Sequence, residues 1–321
     1  MVKLAKQAQS VEMRKVYCQT MMQMAQEDPR VVALDCDLVS PIGMGAFQKQ
    51  YPERMFDCGI MEGNMAGLAA GMSARGCIPF AHTFACFQSR KCIDQLFLSA
   101  GFAELNVKLV GSDPGIMALY NGASHMGLED MGILQNIPNL TLIEPCDTVQ
   151  LASVLHQVKD TYGLHYIRMN RKNANTVYEE GTEFQIGKGE KLTDGYDIAV
   201  ISTGLMTNEA LRAAVLAKRQ GMNVRVINMP TIKPIDEEII LTAARECGRI
   251  ITVEEHSIIG GLGEAVCSVV SEKLPVPVRR IGVMDQFGHS GPANEVLRDY
   301  GLTADNIVNV IRDIVRPDAK A

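Results

Sequence analysis

Twice along this chain, apolar segments of strand length alternate with stretches of helical periodicity, and a polar, glycine-punctuated break separates the two series. In the first series, residues 31–35, 107–111, 140–144 and 165–169 have the length and composition of buried strands. Helical spacing fills 10–27, 66–74 and 93–104, and Asp147 with Gln150 three residues on forms a capping box that opens a further helix. The break runs through 170–195, where Gly181, Gly187, Gly189 and Gly195 interrupt polar sequence. Strands at 198–202, 224–229, 250–253 and 276–281 then alternate with helices at 208–219, 236–247 and after Gly263. Such alternation points to parallel sheets covered by helices on both faces. The predicted fold is therefore α/β: two three-layer α/β/α domains, 1–175 and 192–321, joined by a linker at 176–191. A chain of 321 residues can bury two such cores with no disulfide or metal staple.

Charge narrows the function. Lys and Arg number 31 against 37 Asp and Glu, a net −6 spread along the chain, so the basic stripe of a nucleic-acid binder is missing. The nine cysteines form no CxxC pair and no zinc-spaced group with histidine, and Glu254-Glu255-His256 lacks the paired histidines of a zinc helix. No metal site is expected on this chain. Free thiols suit a reducing cytosol, so the expected location is cytoplasmic. The first ten residues lack the apolar core of a signal peptide, and uncharged runs such as 76–89 are too short to span a bilayer.

Four segments invite a chemical reading. At 59–67, Glu62 opens a helix rich in small residues. It either complements the helix dipole or aims a carboxylate into the crevice at the carboxyl end of a parallel sheet. Phe84 and Phe87, three residues apart in a chain with only 5% aromatic residues, are either core or a wall for a flat heterocycle. The turn-rich stretch 115–130 carries Asn121, His125, Glu129 and Asp130 on what reads as a long loop after a strand, a favoured place for catalytic groups. The glycines at 260, 261 and 263 fit neither GxGxxG nor the lysine-bearing phosphate loop, so tight packing explains them.

Taken in order, Asp35-Cys36-Asp37-Leu38, Phe56-Asp57-Cys58-Gly59-Ile60-Met61-Glu62-Gly63-Asn64-Met65, Pro79 through Phe87 and Ser124-His125-Met126-Gly127-Leu128-Glu129-Asp130 resemble transketolase. So do Pro230 through Asp236 and Glu254 through Gly263. The resemblance spans essentially the whole chain and implies a pyrimidine-binding domain followed by a transketolase C-terminal domain. The Gly-Asp-Gly motif with which full-length members hold magnesium and diphosphate does not occur here. The chain thus resembles the C-terminal subunit of a split transketolase. Thiamine diphosphate would be shared with an N-terminal subunit that holds Mg2+ or a similar divalent ion. Homodimeric contact and a two-plus-two heterotetramer are also implied.

The implied reaction moves a two-carbon ketol unit from a ketose or ketose phosphate to an aldose. By the resemblance, Glu62 is the catalytic carboxyl on the aminopyrimidine ring nitrogen. Phe87 and Phe84 wall that ring, and Asp37 lies near the cofactor. His125 contacts the reacting oxygen, Arg171 binds the sugar phosphate with Arg168 as its near alternative, and His82 is a further substrate candidate. Four positions depart from the family pattern. Gly63 stands in place of His or Gln, Asp113 in place of a phosphate-binding His, Asn121 in place of a hydroxyl-reading Asp, and Gln135 in place of Arg. An anionic Asp113 repels phosphate, so the expected substrate is a non-standard sugar phosphate. The alternatives are the beta subunit of a 2-oxo acid dehydrogenase decarboxylase, told apart by carbon dioxide release, and a non-catalytic assembly partner.

Overall fold

The computed structural model describes residues 3–316. Its strands are β1 (Ser10–Glu12), β2 (Val31–Asp35), β3 (Met55–Asp57), β4 (Ile78–Phe84), β5 (Lys108–Ser112), β6 (Thr141–Ile143), β7 (His165–Met169) and β8 (Asn173–Asn175), followed by β9 (Glu190–Lys191), β10 (Ile198–Ser202), β11 (Val224–Asn228), β12 (Thr231–Lys233), β13 (Ile250–Ser257) and β14 (Val278–Val283). A seven-stranded sheet has the order β12-β6-β7-β5-β4-β2-β3, and a five-stranded sheet the order β14-β13-β10-β11-β9. Pairing within each is parallel except at one edge, where β12 and β9 run antiparallel to β6 and β11. The α/β reading of the sequence stands.

Side-chain alternation shows why these segments are strands. In β2, Val31 and Ala33 enter one core and Val32 and Leu34 the other. Both faces are covered, so the strand reads as an unbroken apolar run. The helices Met13–Glu27 and Thr148–Asp160 cover one face with Met21, Met24, Leu151 and Leu155. On the opposite face the helix Glu62–Ala74 brings Ala66 and Ala69, both fully buried, whose small side chains allow close approach to the sheet. The expected cap at Asp147 forms, its carboxylate accepting from the Gln150 N–H at 2.8 Å.

Three details differ from expectation. Residues 93–104 make a short α-turn, Ile93–Gln95, and then a π-helix, Leu96–Phe102. The helix foreseen at 10–27 starts at Met13, because Ser10–Glu12 pairs with Asn173–Asn175. The halves also interlock: β12, from the second half, is the edge strand of the first sheet. Ile240, Ala243 and Val266 of the second half share one core with Met131 and Leu134 of the first.

A buried acid in β9 makes stability depend on pH. Glu190 has only neutral donors around it: the Tyr178 hydroxyl at 3.2 Å and the Asn228 and Gln150 amides at 3.3 and 3.5 Å. Burial pushes its carboxyl from 4.5 up to about 8. Between those values the folded chain holds a proton that the unfolded chain has released, so the stabilisation is full below pH 4.5 and is lost as pH rises towards 8. Glu190→Gln keeps the shape without the titration. The variant is expected to flatten the fall in urea midpoint between pH 5 and 8 and to be more stable at pH 8 by on the order of 2 kcal/mol.

Candidate active site

Parallel strands direct their carboxyl ends to one edge of a sheet, and the segments leaving those ends form a crevice. Here Glu62 opens the helix that follows β3, and Phe84 ends β4. Phe87 lies one turn into the helix Ala85–Arg90, His125 on the loop after β5, and Arg171 just beyond β7. Spacing by three residues puts Phe84 and Phe87 side by side, their ring centroids 6.0 Å apart and edge to face. His125 packs edge-on against both, 5.6 Å from Phe84 and 5.2 Å from Phe87. The Arg171 guanidinium lies 5.4 Å from the Phe84 ring and its Nε is 2.6 Å from the Asp113 carboxylate. Six residues singled out from the sequence therefore form one contiguous chain of contacts once Lys91 is added.

Lys91 is the residue that sequence reasoning missed. Its ammonium donates to both Glu62 oxygens at 3.0 Å and stands 4.4 Å from the Phe87 ring centroid. Glu62 is 3% exposed and the Lys91 side chain 44%, so a buried carboxylate is neutralised by a cation on a surface stem. The carboxylate expected to stand ready for a ring nitrogen is ion-paired instead. Arg90, next to it, pairs with Glu129 and donates to the carbonyls of Met126 at 2.9 Å and Ser124 at 3.3 Å, fixing the loop that carries His125.

Other expectations need correction. His82 is 2% exposed, with Nδ1 bonded to Asp35 at 2.6 Å and Nε2 to Ser112 at 2.9 Å. No ring nitrogen remains for a sugar, and the chain Asp35–His82–Ser112 instead ties together the ends of β2, β4 and β5. Arg168 is fully buried between Asp130 and Glu144, so it is no alternative to Arg171. Asp113 is 1% exposed and paired with Arg171 rather than standing free, and burial pushes its carboxyl up. Gln135 donates to the Gly260 carbonyl, joining the two halves. Asn121 is exposed at the end of the turn Gly115–Asn121. Asp37, also exposed, donates its backbone N–H to Asp57 at 2.9 Å and lines a 490 Å³ hollow with Ser40 and Gln48.

The glycine run near 260 is indeed packing. A side chain on Gly261 would collide with Glu254 and His256. The helix Leu262–Lys273 has its first N–H groups, Leu262 and Gly263, bonded at 2.7 and 2.8 Å to the buried Glu254 carboxylate. An internal acid, pushed up to about 8 by burial, thus takes the place an outside anion would occupy.

The groups beside Glu62, a buried carboxylate and an aromatic face, are of the kinds that a flat, hydrogen-bonding heterocycle uses. Lys91 already displays the two contacts available there, a charged hydrogen bond to a buried carboxylate and attraction to an aromatic face. It reaches them on a flexible stem that can leave. For diphosphate and its metal the described residues offer no group of three or more His, Cys, Asp or Glu able to hold an ion. A cleft of about 640 Å³ opens beside the His125 loop, lined by Arg90, Ser124, Met126, Glu129, Ser257 and Phe287. Glu62 and Phe87 do not line it.

Residues 9–176 match the transketolase pyrimidine-binding domain and residues 187–307 the transketolase C-terminal domain. The 6-deoxy-6-sulfo-D-fructose transketolase subunit of a Clostridium species (strain MSTE9) is 43% identical over 94% of both chains. An apulose-4-phosphate transketolase subunit of Phocaeicola vulgatus is 34% identical over 94% of this chain and 97% of its own length. A split-gene transketolase solved as an inactive beta4 tetramer superposes with a TM-score of 0.89 at 37% identity, over 95% of this chain and 98% of that one. No helix among the described residues is long and apolar enough to cross a membrane. By sequence, fold and domain order, the chain belongs to the transketolase family.

Proposed function

We propose that this chain is the C-terminal subunit of a two-chain transketolase and moves a two-carbon ketol unit from a ketose to an aldose. The observation that carries the reading is the cluster at one sheet edge in which Lys91 links Glu62 to Phe87, and Phe87, Phe84, His125 and Arg171 continue in contact. Thiamine diphosphate, when bound, would supply the carbon nucleophile for ketol transfer. Glu62 holds a proton shared with the pyrimidine ring nitrogen, which a carboxyl can do where water is excluded. Phe87, with Phe84 beside it, walls the ring. His125 has Nδ1 bonded to Ser124 Oγ at 2.9 Å, which leaves Nε2 to meet the reacting oxygen and pass it a proton.

The second subunit supplies the diphosphate and Mg2+ site. Two features support its docking over this edge. Exposed apolar side chains flank Glu62 and continue along the π-helix: Ile60, Met61, Phe97, Leu98 and Phe102, the last 81% exposed. The solved relative made of one kind of chain is inactive. A two-plus-two assembly, homodimeric contacts included, follows from the symmetry of such complexes. Nine cysteines free of disulfides suit the cytoplasm. Co-purification with a Gly-Asp-Gly-bearing subunit tests the assembly. Product analysis tests the chemistry, since ketol transfer to an aldose supports the reading and carbon dioxide release from a 2-oxo acid replaces it with the decarboxylase.

The substrate differs from the standard pentose phosphates in its sugar or in where it carries phosphate. Arg171, the cation expected at the phosphate, already has Asp113 as its partner, so this end of the site is close to neutral. Asp113→Asn frees that charge. The variant is expected to raise kcat/KM for xylulose 5-phosphate over free xylulose by about tenfold, a 1.4 kcal/mol change in preference. An unchanged ratio separates Asp113 from substrate choice. Wild-type turnover of xylulose and ribose phosphates at ordinary efficiency would overturn the non-standard sugar.

A further inference from the structure

We infer that Lys91 is a built-in occupant of the pyrimidine slot, which the cofactor must displace to bind. The inference rests on the reading of Glu62 and Phe87 as that slot. The Lys91 ammonium is 3.0 Å from both Glu62 oxygens and 4.4 Å from the Phe87 centroid. A stacked ring needs the same aromatic face at van der Waals distance, and its nitrogen needs one of the same oxygens, so ring and ammonium cannot be bound together.

Local packing is arranged around this contact. The helix Ala85–Arg90 ends at Lys91, which turns the side chain back towards the start of the helix Glu62–Ala74. A Cβ at Gly63 would come within 3.3 Å of the Lys91 carbonyl and 3.2 Å of Gln95 Oε1. A side chain at 63 would therefore press on the Lys91 turn, which would have to give by a few tenths of an ångström.

The balance of solvation makes the contact reversible. Glu62 cannot reach water, so in the unloaded chain it needs a cation or a proton. Lys91 provides the cation at small cost because its stem is already half in solvent. When a ring that both stacks and hydrogen-bonds enters, the ammonium returns to water. Apparent affinity is then the intrinsic affinity reduced by the fraction of molecules in which Lys91 has vacated the slot.

Isothermal titration of thiamine diphosphate, with Mg2+ present, into the two-subunit complex tests this without measuring turnover. Lys91→Ala is expected to lower Kd by about three- to tenfold, while Lys91→Arg, which keeps a cation over Phe87, is expected not to lower it. The free aminopyrimidine alcohol, 4-amino-5-hydroxymethyl-2-methylpyrimidine, is the second probe. It lacks the diphosphate, so the partner subunit contributes less, and the same ranking of variants is expected. If the wild-type complex binds thiamine diphosphate and Lys91→Ala binds it equally or more weakly, Lys91 is not an occupant to be displaced and the inference fails alone. If the wild-type complex binds neither probe, the assignment of the pyrimidine slot fails with it.

Discussion

Replacing Glu62 by Gln in the two-subunit enzyme is expected to lower ketol transfer by about 10²–10⁴-fold, the range for losing a positioned proton-transfer group. The amide matches the carboxyl in shape and still offers Lys91 an oxygen, so the helix Glu62–Ala74 and the neighbouring apolar face keep their places. What the amide cannot do is share a proton with a ring nitrogen. Initial rates measured beside gel filtration separate the two effects. A collapse in rate with intact assembly supports Glu62 as the catalytic carboxyl. An unchanged rate would favour the chain as an assembly partner without catalytic residues.

The second large effect lies behind the site. Arg168, fully buried in β7, reaches Asp130 through Nε at 2.9 Å, Glu144 through Nη1, and the backbone carbonyls of Gly127 and Glu255 at 3.2 and 2.9 Å. Burial pushes the Asp130 carboxyl up, but the charges of Arg168 and His256, with hydrogen bonds from Arg168 and Tyr166, hold it below the usual range. One guanidinium therefore pairs with two buried acids, of which burial pushes Glu144 up, and ties the His125 loop to β13 of the second half. Arg168→Met fills similar volume and leaves both acids uncompensated. It is expected to cost about 3–5 kcal/mol, read as a lower urea midpoint with an unchanged slope. Adding Glu144→Gln removes one stranded charge and is expected to recover part of the loss. A loss under about 1 kcal/mol would show that the two acids do not need this cation.

Several features were legible in the sequence for reasons the structure makes plain. Strands such as β2 and β10 are buried on both faces, so their side chains form continuous apolar runs bounded by turn residues. Glu62, Phe84, Phe87, His125 and Arg171 lie in segments whose motif order was recognisable. What escaped depends on contacts that spacing along the chain does not encode. β12 is three residues long and pairs across the two halves. Over a dozen residues, π and α periodicities at 93–104 are too close to separate. Asp113 and Arg171 meet because β5 and β7 are adjacent, with Ser112 opposite Met169. Arg168 carried a usable signal, since a charge inside a wholly buried strand requires an opposite charge beside it. Lys91 carried none: a lysine closing a short helix reads as a solvated end, and only the fold shows the acid beneath it.

On the proposed reading, the Glu62 carboxylate and the Phe87 face together receive the aminopyrimidine. A crystal structure of the two-subunit complex with thiamine diphosphate tests it most directly. The pyrimidine ring nitrogen is expected at about 2.6–3.2 Å from a Glu62 oxygen, the ring against Phe87, and the Lys91 ammonium in solvent. A pyrimidine seated elsewhere, with Lys91 still bridging both oxygens of Glu62, would contradict it.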